Sequence, residues 1–290
     1  AQTLERAGRI DDAAEAWAQI ARLVPDDKNV DVAIEKLDGS KRHKEAVALL
    51  EEISSSVADD RWRARLLVRA ADLTRTRLQK RGRARELLER ALALDDANVG
   101  ALSMLADIQV EMGDGAGPVS ALERLAAASA DAKARAQIEV RIARLLDELL
   151  LKPEAAILRY RAAVAADPSL RDAWEALRAL ARQRGDRPLL VEALTGLAGV
   201  EGAGKERAAL WRQIAKVERD ERGDPVAATA ALRSALGEEP ADLEALDGLV
   251  VLIAQRAAPE LDLDAVLEAP PPALLDGVRA ASRRSAATTW

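Results

Sequence analysis

Apolar residues recur along the chain at steps of three and four rather than two. Over 170–184, Leu170, Trp174, Leu177 and Ala181 share one helical face, and Leu190, Leu194 and Leu197 form a second stripe. Gly185-Asp186-Arg187-Pro188 interrupts them. Glycine suits the position after a helix, and proline the first turn of the next one. Gly223-Asp224-Pro225 repeats this punctuation, with Asp224 as an N-cap. Stripes of roughly 12–20 residues joined by turns of about three to six predict antiparallel helical neighbours, since short connections allow little else.

The stripes themselves repeat. Pro25, Asp96, Pro168 and Pro240 follow one another at 71, 72 and 72 residues. The same step superposes Ala84, Ala156 and Ala228, then Leu88, Tyr160 and Leu232, then Ala91, Ala163 and Ala235. It also aligns Leu102 with Trp174 and Leu246, Leu105 with Leu177 and Leu249, Leu50 with Leu122 and Leu194, and Ile53 with Leu125 and Leu197. Trp17 matches Leu88 one residue out of step. Each 72-residue step holds four amphipathic segments, read as hairpins of 34 and 38 residues. The difference is one extra helical turn in alternate first helices, as near 205–222.

Ala156, Tyr160 and Ala163 ahead of Pro168, followed by Trp174, Leu177 and Gly185, resemble the tetratricopeptide (TPR) pattern of a 34-residue helix–turn–helix unit. Gly8, Ala13, Trp17 and Pro25 fit the second half of another unit, and Gly223, Ala228, Leu232, Ala235 and Pro240 a third. Units around Leu50, Leu122 and Leu194 lack the alanine and aromatic landmarks. The resemblance implies an all-α solenoid of about seven TPR-like antiparallel hairpins, wound as a right-handed superhelix with a two-hairpin period. The array is expected over 1–268, with an incomplete first unit at 1–25. Residues 269–290 are read as a stop at Pro270–Pro272, a candidate capping helix over Ala273–Arg284 and a frayed tail. Ile10, Trp17 and Ile20 lie on a helix whose upstream neighbour is not in this chain, so further N-terminal repeats or end-to-end packing are expected there.

Composition narrows the function. The chain has 63 alanines and 42 leucines among 290 residues, and aromatics make up 2%, which excludes a predominantly β protein. Its net charge is −6, so it is not a general binder of nucleic-acid phosphates. Cysteine is absent and His43 is the single histidine, which removes thiolate chemistry and leaves almost nothing for a histidine triad or metal site. No apolar stretch reaches the roughly 18 residues of a membrane span, and the first residues do not form a signal peptide. The 34 arginines against 9 lysines hint at a bacterial, GC-rich origin. A cytoplasmic location is favoured, with the periplasm left open.

Each chemical motif has a plainer reading. Gly199 to Lys205 has P-loop spacing, but Glu206 stands where Ser or Thr would hold magnesium, and the preceding stripe is helical rather than a strand. Gly113-Asp114-Gly115-Ala116-Gly117 reads as an inter-helix turn, and His43 as a solvated residue at a helix start. Asp11-Asp12, Asp26-Asp27 and Asp59-Asp60 suit helix N-termini. No enzyme signature remains and no cofactor is expected.

Charge is the most informative feature. Residues 61–90 hold eleven basic side chains against Asp72, Glu86 and Glu89, giving +8, whereas 238–270 hold nine acidic ones against Arg256, giving −8. Arg61, Arg65 and Arg69 share one face, and with Arg75, Arg77, Arg81 and Arg85 they are candidate contacts for an acidic or phosphorylated partner. Counted from Trp174, the groove positions carry Asp172, Glu175, Ala179, Arg182 and Gln183, and one unit earlier Ser103, Asp107, Val110 and Glu111. This differs from the Lys and Asn pattern with which some TPR domains hold a terminal carboxylate. Asp172, Glu175 and Arg182 are the candidate contacts there. The leading reading is a non-enzymatic scaffold that binds a peptide, helix or protein on a concave helical surface. The alternatives are a structural subunit that stacks into an assembly or filament and, less favoured, a nucleic-acid-binding repeat using the basic hairpin.

Overall fold

A computed structural model describes residues 1–254, so the expected stop, capping helix and tail lie outside the described residues, as does the acidic stretch beyond residue 254. Every regular element among the described residues is helical. In order these are α1 (Gln2–Arg6), α2 (Ile10–Leu23), α3 (Asp27–Gly39), α4 (His43–Ser56), α5 (Asp60–Thr76), α6 (Arg81–Leu94), α7 (Val99–Glu111), α8 (Gly117–Ala128), α9 (Ala132–Arg144), α10 (Pro153–Ala166), α11 (Arg171–Arg184), α12 (Arg187–Val200), α13 (Lys205–Lys216), α14 (Pro225–Glu238) and α15 (Leu243–Ala254). The helices α3, α7, α11 and α15 begin at residues 27, 99, 171 and 243, each 72 after the last.

The chain divides into two compact units, Ala1–Ala156 and the part from Ile157 onward. Within the first, each helix from α2 to α8 packs on its successor, and α2 also reaches α4 and α5 reaches α7. Within the second, α11 to α15 pack in the same succession. The odd-numbered helices from α3 are the first members of hairpins and the even-numbered ones the second.

Burial follows the periodic positions. Ala84, Ala156, Ala228, Ala91, Ala163 and Ala235 are fully buried, and Leu50, Leu122, Leu194, Ile53, Leu125 and Leu197 are nearly so. Small alanines let helices approach, and leucines fill the space between them. The aspartates cap as expected: Asp26, Asp59, Asp186 and Asp224 each accept a backbone N–H of the first turn of α3, α5, α12 and α14.

Three expectations need correction. The extra turn expected of alternate first helices is plain α-helix in α5, Asp60–Thr76, but not in the other two. After α9 and α13 the chain enters π-helical turns, Leu145–Leu149 and Val217–Glu221, closed by Leu150 N–H to Leu145 O and Arg222 N–H to Val217 O, both at 3.0 Å. His43 is half-buried rather than solvated, with Nδ1 2.9 Å from Asp38 Oδ1. Of Ile10, Trp17 and Ile20, only Ile10 is largely exposed, while Trp17 and Ile20 are half-covered.

Candidate functional site

The outward face of the first helices carries an ordered charge pattern. The longer members, α5, α9 and α13, present cations, and the shorter ones beside them present carboxylates. In the first unit Arg69 meets Asp31 and Arg141 meets Asp107, both at 2.7 Å, while Arg77 meets Asp38 at 2.8 Å. Glu111 receives Arg75 at 3.1 Å and Arg81 at 2.7 Å. Arg81's hydrogen bond, reinforced by the charge of Arg75, holds the Glu111 carboxyl below its ordinary range despite some burial. In the second unit Arg212 joins α13 to Asp242 and Glu244 of the α15 end.

These pairs alter the picture of a basic hairpin. Arg69, Arg75, Arg77 and Arg81 are matched by carboxylates on flanking helices, and Arg85 lies 3.3 Å from Glu89. Arg61 and Arg65 are exposed on α5 and, among the described residues, have no ionic partner. The charge count along the chain could not show this, because the compensating groups lie about 30 to 39 residues away on neighbouring hairpins. On α11, Asp172 is exposed, Glu175 pairs with Arg178 of its own helix, and Arg182 donates to Gln213 Oε1 at 3.3 Å.

Open furrows run between neighbouring first helices. In the first unit a cavity of about 530 Å³ lies beside α7 and α9, floored by Ala106, Leu122 and Leu145 and edged by Val110, Leu149 and Arg141. Val110 is 43% exposed and Leu149 46%. The π-turn after α9 delivers Leu145 and Leu149 to this furrow, and their spacing alone did not mark them. In the second unit a cavity of about 470 Å³ between α11 and α13 is lined by Arg182, Gln213 and Lys216 above Ala181, Leu190 and Leu194. Another of about 560 Å³, between α13 and α15, is lined by Arg212, Arg219, Glu244 and Val251.

The loop with P-loop spacing is closed by acid. Gly204 N–H donates to Glu238 Oε2 at 3.2 Å, and Lys205 lies 3.9 Å from Glu239. The Gly113–Gly117 turn caps α8, with Gly117 N–H donating to Asp114 Oδ1 at 3.1 Å. Among the described residues no cluster of three or more His, Cys, Asp or Glu could hold a metal, and no helix is long and apolar enough to cross a membrane.

No protein-family model matches the chain, and no curated protein does. Among solved structures it is similar to the C-terminal part of a TPR repeat-containing protein from Cytophaga hutchinsonii, with a TM-score of 0.50 at 14% identity over 86% of this chain and 97% of that one. The fold is TPR-like. Weaker likenesses are to MamA, with a TM-score of 0.45 at 14% identity over 58% of this chain and 93% of that one, and to YrrB, described as a TPR protein with an unusual peptide-binding site. The YrrB likeness has a TM-score of 0.40 at 15% identity over 63% of this chain and 90% of that one. At such identities the likeness speaks for the fold alone.

Proposed function

We propose that this chain is a non-enzymatic scaffold that holds a peptide or protein segment along the face of its first helices. The observation that carries this reading is the furrow edged by Val110 and Leu149, where two large apolar side chains stand half in water between helices. Burying what remains exposed under a partner would return about half of the roughly 1.5–3 kcal/mol that full burial of such a side chain is worth. The surrounding charges are largely spent on one another, which suits recognition better than proton transfer. Arg61 and Arg65, together with the exposed Lys80, are the members of the basic hairpin left to meet an acidic stretch of that partner.

Site-specific photo-crosslinking in cells tests this. A benzophenone side chain at position 110 or 149 should crosslink to a discrete protein, while the same group at Val226, which is 72% exposed on the second helix α14, should not. Equal labelling from both faces, or none from 110 and 149, would overturn the proposal.

A second reading, assembly through the α2 end, is favoured by Ile10, Leu23 and Val24, which are 60%, 81% and 56% exposed. Self-association in sedimentation that disappears in Leu23→Glu would support it; a monomer at high concentration would dismiss it.

A further inference from the structure

One rung of the charge ladder is built differently. Positions 69, 141 and 213 correspond on α5, α9 and α13. Arg69 and Arg141 each bind a carboxylate on the preceding first helix at 2.7 Å. At the third position stands Gln213, and the cation has moved across to Arg182 of α11, whose Nη2 donates to the neutral Gln213 amide at 3.3 Å. Arg182 therefore has no carboxylate partner among the described residues. Lys216, one turn beyond Gln213, is exposed and makes no direct ion pair among them; Asp220 feels its charge but is itself held by Arg219.

Both cations line the cavity of about 470 Å³ between α11 and α13. The acids in its wall are engaged elsewhere. Asp186 accepts Leu189 N–H at 3.0 Å as the cap of α12, and Glu221 accepts Arg187 Nε at 3.2 Å. The available charge in the furrow is thus positive, above an apolar floor of Ala181, Leu190 and Leu194. Charge-assisted hydrogen bonds from a guanidinium and an ammonium are strong when partly shielded from water. A carboxylate entering between Arg182 and Lys216 would complete the rung, and its methylenes would lie over the leucines.

We propose that the α11–α13 furrow binds an acidic side chain, glutamate or aspartate, from within the partner's peptide segment. This rests on the scaffold reading above but concerns a different furrow from the one edged by Val110 and Leu149. It predicts an unusual variant: Gln213→Glu adds a charge, removes no cation, and should still block the site. The new carboxylate would occupy Arg182 as Asp31 occupies Arg69, so the fold should be retained with an unchanged or raised melting temperature.

A phage library displaying random 16-residue peptides, fused internally so that no free C-terminus is present, provides the probe. Ligands selected on the whole chain are then measured by fluorescence anisotropy. Peptides enriched in an acidic position are expected, with affinity falling about tenfold or more for Gln213→Glu and for the Arg182→Gln/Lys216→Gln double variant. Neutralising the peptide's acid should cause the same loss, with no further loss on Gln213→Glu. Ligands that need no acid, or that bind Gln213→Glu as well as the parent, overturn the proposal. If their binding is lost in Leu149→Glu instead, the scaffold reading stands and this one falls; a library yielding no ligand counts against both. A dimer of the chain that dissociates on Gln213→Glu would assign the acid to a second copy and overturn an external partner.

Discussion

At the scale of single residues, the repeat explains both its regular positions and its exceptions. Trp174 stands where the neighbouring steps carry Leu102 and Leu246. Its indole lies so close to α12 that a Cβ built on Gly196 would come within 2.3 Å of Trp174 Cδ2, and Nε1 donates to Pro168 O at 3.0 Å. The equivalent of Gly196 one step earlier is Arg124, opposite the smaller Leu102. Gly196→Ala should therefore destabilise the protein by about 1–3 kcal/mol in denaturant titration, although alanine is the better helix former by about 1 kcal/mol. Pairing it with Trp174→Leu should recover most of the loss. The opposite sign is expected at Leu151, which is 78% exposed and held at φ 51°. Gly223, at the corresponding position, has φ 66°. A side chain in the left-handed region costs about 1 kcal/mol, so Leu151→Gly should raise stability by roughly that amount. A lower melting temperature would refute this account.

At the scale of elements, alternate first helices are longer, and the period of apolar positions revealed the surplus residues. How the backbone absorbs them was not visible there, because periodicity counts residues and not hydrogen-bond register. In α5 they extend the α-helix, whereas after α9 and α13 they form π-turns, one of which brings Leu149 to the rim of a furrow. Between second helices, Glu51 of α4 accepts Arg83 at 2.8 Å and Arg90 at 2.6 Å from α6. Burial alone would raise the Glu51 carboxyl, but the hydrogen bonds from Arg90 and Arg83 outweigh it and leave its pKa lowered. A lowered folded-state pKa contributes stability above the unfolded carboxylate's pKa and loses it as pH falls through the folded value. Glu51→Gln should thus cost up to about 1 kcal/mol at neutral pH. The gap between variant and parent should close below the ordinary carboxylate range. A gap independent of pH in melts across that window would show that the charge is not responsible.

At the scale of the whole molecule, nearly all long-range ion pairs join residues about one hairpin apart, so each hairpin recognises its neighbours. Arg61→Glu with Arg65→Glu should weaken an acidic partner severalfold, more at low salt than at high, without altering the circular dichroism spectrum. Arg77→Glu with Arg81→Glu, which removes paired cations, should instead lower the melting temperature. Identical behaviour of the two double variants would show that pairing does not distinguish these arginines.

What the sequence alone determined was the helical class, the two-hairpin step, the capping residues and the buried face. Those properties depend on spacing along one strand of chain, through the 3.6-residue turn, proline and glycine punctuation, and the size of side chains at recurrent positions. The tertiary structure decided which charges remain available. An arginine in 61–90 looks the same in sequence whether or not Asp31, Asp38 or Glu111 stands across from it, because a neighbouring hairpin supplies those partners. It also decided where apolar surface stays open, since Val110 and Leu149 lie on separate helices and meet only once α7 and α9 are side by side. Local chemistry sets the helices, and the distance between hairpins sets what each side chain is free to bind.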